Sequence, residues 1–385
     1  MTPILLDITR LLSRLHAGLI PTGVDRVGLA YIQRYGNGAR AVVSEQGFFT
    51  IMTEQDSRQI FSRLLSSTHD RPFIRRTVIR AWAALALTRT RRIERGILLH
   101  TSHTGMEFPR YYHAMAKHNI RSVFMVHDLI PLTHAEYCRP GVGNAHRRRI
   151  HTALRHADGL IANSQATLDS IASEARQARL RLPPSVVAHL APGIEHGAAQ
   201  AAPLDKPYFV MLGTIEPRKN HWLMLHVWRD LAERLGDAAP RLVLIGRRGW
   251  ECENVVDMLE RCEHLRGLVI EQAQCPDARM RAWLQHAKAL LFPSFVEGYG
   301  MPLVEALAHR IPVIASDLPV FREIASDIPD YLDPLDGPGW FSKIVSYMQP
   351  SSAARDAQLA RIEQFSAPTW STHFEKVDRF IESLG

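Results

Sequence analysis

The stretch Pro293-Ser-Phe-Val-Glu-Gly-Tyr-Gly-Met-Pro-Leu-Val-Glu305 decides how the chain is read. Ahead of it, the apolar run from Ala289 to Phe292 reads as a buried strand. Gly298 and Gly300 then permit a sharp turn, Pro302 suits a first helical position, and Leu303 to Ala308 continue as helix. Backbone amides at a helix start, here near Met301, face outward and favour an anion, and a diphosphate is the anion that strand-turn-helix units most often hold. Two carboxylates, Glu297 and Glu305, flank this turn eight residues apart. On the loop, Glu297 suits hydrogen bonds from sugar hydroxyls, while Glu305, expected in the helix's first turn, suits a ribose. Spacing alone fits equally a Glu305 that merely complements the helix dipole and a Glu297 that is a solvated turn residue.

A second segment adds cations to the acids. Asp205-Lys-Pro-Tyr-Phe-Val-Met-Leu-Gly-Thr-Ile-Glu-Pro-Arg-Lys-Asn-His221 reads as a strand over Tyr208 to Leu212, a turn at Gly213 and Thr214, and a helix carrying Trp222, Leu225 and Val227. Arg218 and Lys219 fall where the turn becomes helix. A planar guanidinium beside a point-charge ammonium is the usual pairing for the oxygens of a leaving diphosphate.

With these residues the chain resembles the retaining glycosyltransferases of family 4. The E-x7-E pattern from Glu297 to Glu305 is that family's most specific mark, joined by Gly-Thr-Ile-Glu-Pro-Arg-Lys-Asn at 213–220 and by Arg310-Ile-Pro-Val-Ile-Ala-Ser-Asp-Leu-Pro with Glu323. Pro21-Thr-Gly-Val-Asp-Arg26, Val126-His-Asp-Leu-Ile-Pro131 and Ile161-Ala-Asn-Ser164 follow the family order in the first half, so the resemblance covers nearly the whole chain. It is strongest to bacterial mannosyl- and rhamnosyltransferase-like members that build surface polysaccharides.

The resemblance implies a GT-B fold, two Rossmann-like doubly wound parallel-sheet α/β domains facing across a cleft. It implies transfer of a hexose from a nucleoside-diphosphate sugar, GDP-mannose first, to a hydroxyl of a glycan or lipid-linked glycan, with retained anomeric configuration. Arg218 and Lys219 would hold the leaving diphosphate, and Glu297 and His127 would act at the donor sugar. Gly23, Gly213, Thr214, Gly298, Tyr299, Gly300, Met301, Pro302, Leu303 and Glu305 would complete the donor site. Two positions depart from the pattern. Thr214 stands where many members carry Arg, and Gly23-Val-Asp-Arg26 replaces a Gly-Ile-Gly-Arg loop, setting Asp25 where it would repel a phosphate unless turned away. The sequence contains no Asp-x-Asp pair, which argues for protein cations in place of a chelated metal. No cofactor beyond the donor is expected. A nucleotide-sugar 2-epimerase shares the architecture, a glycoside hydrolase would need both acids beside one bond, and a non-catalytic nucleotide-binding scaffold is the third alternative.

Composition sets outer bounds. With 385 residues and 46% hydrophobic content, two cores are affordable. Cys138, Cys252, Cys262 and Cys275 form no metal-binding spacing and read as reduced thiols of a cytoplasmic protein. The start, Met-Thr-Pro-Ile-Leu-Leu-Asp-Ile, reads as a first strand rather than a leader, and no run approaches the roughly 18 apolar residues of a spanning helix. The net charge of +7 is concentrated between Arg71 and Arg95, where Arg80, Arg89, Arg91 and Arg92 lie among Trp82, Leu85 and Leu87. Such a stretch suits either a solvated helix or contact with an anionic membrane surface, and with lipid-linked acceptors it suggests a peripheral protein of the inner face of the plasma membrane. No nucleic-acid-binding module accompanies the charge, and nucleic acid is not expected as a partner.

Strand candidates alternate with helical patterns. In the first half they are Ile4 to Ile8, Ala41 to Ser44, Gly96 to His100, Ser122 to His127, Gly159 to Asn163 and Val186 to Leu190. In the second they are Tyr208 to Leu212, Arg241 to Ile245, Leu268 to Glu271, Ala289 to Phe292 and Val313 to Ala315, with helices expected to dominate after Pro338. The division expected is a first domain over 1–195, a small-residue linker over 196–207, a second domain over 208–366, and a C-terminal helix over 367–385 that returns to the first domain.

Overall fold

In a computed structural model that describes all residues except 1, 20, 67–94, 195–196, 198–200 and 385, the alternation becomes two sheets, parallel but for one edge strand of the first. The first contains β1 (Ile4–Asp7), β2 (Arg40–Glu45), β3 (Phe48–Ile51), β4 (Gly96–His100), β5 (Ile120–Val126), β6 (Gly159–Ala162) and β7 (Ser185–Val187) in the order β3-β2-β1-β4-β5-β6-β7. The second contains β8 (Tyr208–Leu212), β9 (Arg241–Ile245), β10 (Val269–Gln272), β11 (Leu290–Phe292), β12 (Val313–Ser316) and β13 (Asp330–Leu332) in the order β10-β9-β8-β11-β12-β13. Both run outward from a first strand and then switch to the other side of it, the doubly wound order that leaves a crevice at the carboxyl ends of the strands where the order reverses. That point lies between β1 and β4 in one sheet and between β8 and β11 in the other.

The central strands are apolar at nearly every position because helices cover both faces. β4 and β8 are buried at all five residues. Leu5, Leu98, Phe124 and Leu160 are fully buried in the first core, and Phe209, Leu242, Trp228 and Trp340 in the second. Each such side chain contributes about 1.5–3 kcal/mol. The indole N–H groups of Trp228 and Trp340 donate to Pro240 O and Asp333 O, both at 2.9 Å, so these large rings are buried without an orphaned donor.

Two strands were not legible from the alternation. β3 pairs antiparallel with β2 through a two-residue turn in which Gln46 and Gly47 have φ of 47° and 84°. It is a hairpin edge that the period of parallel units does not announce. β13 is three residues long, and its Asp330 is held from outside by Lys343 at 2.9 Å and Arg361 at 2.5 Å.

The chain divides into two compact units, Met1–Leu132 with Gly141–Leu190 and Thr369–Gly385, and Thr133–Pro140 with Ala191–Pro368. This differs from the expected division. The break comes at Leu190, the 196–207 stretch counts with the second unit, and Thr133–Pro140 joins that unit as well. Contacts explain both shifts. The Gly193 N–H donates to Glu305 at 3.2 Å, while Tyr137 stacks on Phe295 at 5.3 Å and its carbonyl accepts from the Trp250 indole.

The last helix, Trp370–Ser383, starts at a Thr369 cap and packs within the first unit. His373 joins the expected apolar face, bonding Tyr31 Oη at 3.0 Å and donating to His189 O, and Asp378 binds Arg34 and Tyr35, both at 2.6 Å. Gly159 makes room for this helix, since a Cβ there would lie 2.7 Å from the Phe380 ring. Among the described residues no helix is long and apolar enough to cross a membrane. The basic stretch considered for membrane contact lies, apart from Arg95, outside the described residues.

Candidate functional site

In the second unit both motifs emerge at the switch point, one from β8 and one from β11. After β8 the chain turns at Gly213, whose φ of 127° favours glycine, and the N–H of Gly213 donates to Ile245 O on the neighbouring strand. Thr214 and Ile215 follow, and Ile215 bridges to Arg248. Arg218 and Lys219 then occupy a short 3-10 turn, Pro217–Lys219, which ends at a left-handed Asn220 before the helix His221–Leu235 begins. The cations therefore sit before the helix start rather than in it.

After β11, the Phe295 N–H donates to Arg218 O at 2.9 Å, and Arg218 Nη1 returns a bond to Val296 O at 3.2 Å. The two loops are thus one unit. Within it, Glu297 Oε2 pairs with Arg218 Nη1 at 2.6 Å, and Glu297 Oε1 accepts from Lys219 Nζ at 2.5 Å and from Ser294 Oγ at 2.8 Å. Glu216 Oε1 takes the other face of the guanidinium, 2.6 Å from Arg218 Nη2. Lys219 Nζ also lies 4.7 Å from the centre of the Phe292 ring, and the Lys219 stem runs 3.4 Å from where a Cβ on Gly213 would stand.

Two acids and two cations here balance to zero. Burial alone would raise the Glu297 carboxyl, but the charges of Arg218 and Lys219 outweigh it and hold the group down at about 2. For Glu216 burial wins and the carboxyl is pushed up, despite Arg218. Burial likewise lowers Lys219, against the pull of Glu297. The sequence singled out Arg218, Lys219 and Glu297 separately; the structure joins them and adds Glu216 and Ser294. Glu216 lies inside the quoted 213–220 motif, so its position was visible though its partner was not.

Gly300 caps the following helix, Met301–Ala308, in a left-handed conformation with φ of 101°, and a Cβ there would come within 2.6 Å of the Phe321 ring. Pro302 is the second helical residue, and Leu303 N–H closes the first turn on Gly300 O. Glu305 is the fifth residue, one position deeper than the first-turn place expected with Pro302 as the first helical residue, because the helix begins at Met301 after the Gly300 cap. It is buried, and its Oε1 accepts the Gly193 N–H. Gly298 and the buried Tyr299 complete the loop between Glu297 and the helix.

In the first unit, Asp25 is turned inward. It is 2% exposed, pairs with Arg10 at 2.8 Å and Arg14 at 2.6 Å, and accepts from Thr22 N and Oγ1 in a capping box at the start of the helix Gly23–Tyr35. The repulsion expected of Asp25 is thereby removed. Gly23 is the first residue of that helix, and a Cβ added there would meet no atom within 4 Å.

His127 follows β5 directly and is 6% exposed. Its Nε2 donates to Thr101 O at 2.8 Å, its N–H donates to His103 Nε2 at 3.1 Å, and its carbonyl accepts from Asn163 Nδ2 at 2.9 Å. Burial lowers its ring below the ordinary imidazole value, so the neutral form prevails near neutrality. Asp128, which the sequence left between orienting this ring and capping the next turn, accepts the Ile130 N–H.

Residues 195–328 match the family model for glycosyl transferases group 1. Over 243 residues the chain is 27% identical to the serotype-specific mannosyltransferase WbdA of Escherichia coli, a match covering 59% of this chain and 30% of that protein. Over 256 residues it is 26% identical to the O-antigen chain mannosyltransferase B of Escherichia coli, covering 64% of this chain and 67% of that one. The chain thus spans less than a third of the length of WbdA. The crystal structure of Anabaena HepE in complex with UDP-glucose is similar over 100% of both chains, with a TM-score of 0.66 at 13% identity. The fold is accordingly GT-B, and the match to the glycosyl transferases group 1 model falls within its second unit.

Proposed function

We propose that the protein is a retaining glycosyltransferase that moves a hexose, with mannose from GDP-mannose as first choice, to a hydroxyl of a glycan or lipid-linked glycan in O-antigen-type surface polysaccharide assembly. The observation that carries this reading is the Arg218, Lys219 and Glu297 cluster at the β8–β11 switch point. A diphosphate entering there meets two cations on one loop and the turn from Gly298 through Met301, Pro302 and Leu303 on the other. Arg218 and Lys219 stabilise the charge that grows on the leaving phosphate, and Glu297, released in part from them, accepts from sugar hydroxyls. Glu305 accepts from the ribose, and Gly213 and Thr214 line the phosphate path. His127 and Gly23 are assigned to sugar and acceptor by the family resemblance. Without an Asp-x-Asp pair in the sequence, side-chain cations take the place of a chelated metal. Mannose is supported by the two mannosyltransferase relatives. A lipid-linked acceptor is the reason to place the protein at the cytoplasmic face of the membrane.

The test is a thermal-shift series with GDP-mannose, dTDP-rhamnose and UDP-hexoses, each with and without EDTA. The true donor should raise the midpoint by mass action, and EDTA should not abolish the rise. Absence of a shift with every activated sugar would overturn the reading; a shift abolished by EDTA would overturn its metal-independent part.

A further inference from the structure

The segment Thr133–Pro140 is an excursion: the chain passes from the first unit to the second after Leu132 and returns at Gly141. Its base is closed within the first unit. A Cβ on Gly143 would come within 2.8 Å of Pro131 O, and His146 Nε2 donates to Asp128 O at 3.1 Å. Loops whose ends meet in this way are packed by their own side chains and frequently carry function. Here the tip is one 3-10 turn, Ala135–Tyr137, in which the Tyr137 N–H donates to His134 O and the His134 ring stacks on Tyr137 at 6.1 Å.

Tyr137 touches two loops of the second unit. Its ring lies against Phe295, on the loop after β11, with centres 5.3 Å apart and planes 9° from parallel. Its carbonyl accepts from Trp250 Nε1, on the loop after β9, at 3.3 Å. The strand order β9-β8-β11 sets between them the loop that carries Arg218 and Lys219. That middle loop is tied to both neighbours by its backbone. On one side the Ile215 N–H donates to Arg247 O and the Gly249 N–H to Ile215 O, and on the other the Phe295 N–H donates to Arg218 O, all at 2.9 Å. Tyr137 thus closes a ring of contacts, from Trp250 through Ile215 and Arg218 to Phe295 and back. The residues flanking Phe295 hold the charged cluster, since Ser294 Oγ donates to Glu297 and Val296 O accepts from Arg218 Nη1. A tilt of the Phe295 ring therefore moves the anchors of Glu297 and Arg218 together. Among the described residues Tyr137 Oη has no hydrogen-bond partner, so what the side chain supplies here is the face of its ring.

We propose that Tyr137 is a positioning residue for the diphosphate site: it holds Phe295 by stacking and thereby sets Arg218, Lys219 and Glu297 in place for the ligand. The assignment rests on the glycosyl-transfer reading for the identity of that ligand, but not for the ring of contacts. Small displacements of charges that grip a phosphate are costly, so an aromatic face that never touches the ligand still governs its binding.

The experiment uses the full chain, first with no substrate present. In Tyr137→Ala the Phe295 amide should exchange with solvent roughly tenfold faster than in wild type, while Tyr137→Phe, which keeps the ring, should match wild type. Amides of the first core, such as that of Phe124, should be unaffected in both. Calorimetry then follows GDP, UDP or dTDP, whichever the wild type binds. Affinity should fall about tenfold in Tyr137→Ala and stay within about twofold in Tyr137→Phe. Phe295→Leu removes the other half of the stack, so its effect and that of Tyr137→Ala should not add in the double variant, whether read as exchange at position 295 or as affinity. Additive effects, an unchanged Phe295 amide in Tyr137→Ala, wild-type affinity in that variant, or a Tyr137→Phe as impaired as Tyr137→Ala each overturn the proposal. If the wild type binds no nucleoside diphosphate, the glycosyl-transfer reading falls, and exchange and its non-additivity still decide what Tyr137 holds. Should Tyr137→Ala not fold, Tyr137→Leu, which keeps bulk without the aromatic face, and Phe295→Leu carry the decision.

Discussion

The β8–β11 loops and the His127 network both fix buried polar groups in place, by opposite means. The first uses full charges that neutralise one another: Arg218 and Lys219 are each engaged by Glu297, and Arg218 also by Glu216. The second uses neutral groups whose proton positions are set by carbonyls and amides. A charged cluster must be rearranged before an anion can use its cations. A neutral one is ready as it stands. Binding at the first should therefore be coupled to charge and pH, and binding at the second to geometry.

The sharpest way to break the comparison is to remove Glu297. Glu297→Ala leaves two partly desolvated cations facing each other, and the loss of one partner from such a cluster should cost about 3–5 kcal/mol of unfolding free energy. Denaturant titration measures it. Glu297→Gln keeps the size and the Ser294 contact but frees the cations, so GDP should bind at least as tightly as to wild type while transfer falls sharply. Parallel loss of both, by calorimetry and product formation, would contradict the cluster's role. The pH dependence has a definite sign. A carboxyl depressed to about 2 from 4.5 contributes stability that is complete above pH 4.5 and disappears as pH falls through 2. Glu297→Gln should lack that part of the acid transition.

Next comes Lys219→Ala. If Lys219 holds the leaving diphosphate as proposed, the loss of its ammonium should raise the barrier by about 2–4 kcal/mol. Near-normal nucleotide release would show the assignment wrong. Asp25→Asn probes the first unit by contrast. It keeps a capping acceptor but removes the charge facing Arg10 and Arg14, for a cost of about 1–3 kcal/mol in a melting or denaturant experiment. GDP affinity should not change, because Asp25 serves the fold of the Gly23 loop rather than a ligand.

The same contrast explains what the sequence disclosed. Parallel strands buried on both faces leave continuous apolar runs, so β1, β4, β5, β8, β9 and β11 could be read almost to the residue. β3 and β13 could not, because an edge hairpin and a three-residue strand carry no such run. Arg218, Lys219 and Glu297 stood out as charges at turns, where the strand-turn-helix grammar predicts ligands. Their mutual pairing was hidden, since it joins loops 78 positions apart. The depth of Glu305 depended on which residue caps the helix, and the positive φ of Gly300 settles it. His127 stood out beside Asp128, but its three supports come from other segments and no local pattern announces them. That Asp25 is turned inward was left open for the same reason, as its partners Arg10 and Arg14 lie on the preceding helix, Thr9–His16.

The smallest expected effect concerns Glu216, and it tests whether the charged cluster answers an incoming anion by moving a proton. Burial already favours the protonated form of this carboxyl, and Arg218 is the main force opposing it. A bound diphosphate would draw on that guanidinium and add negative charge nearby, and both changes raise the Glu216 carboxyl further. Binding should then take up a fraction of a proton, so GDP affinity rises as pH falls within the window above 4.5 where free and bound forms differ. Calorimetry in buffers of different ionisation enthalpy reads the uptake directly, and Glu216→Gln should abolish it. Zero uptake in the wild type would mean that the cluster absorbs the phosphate charge by rearranging Arg218 and Lys219 alone.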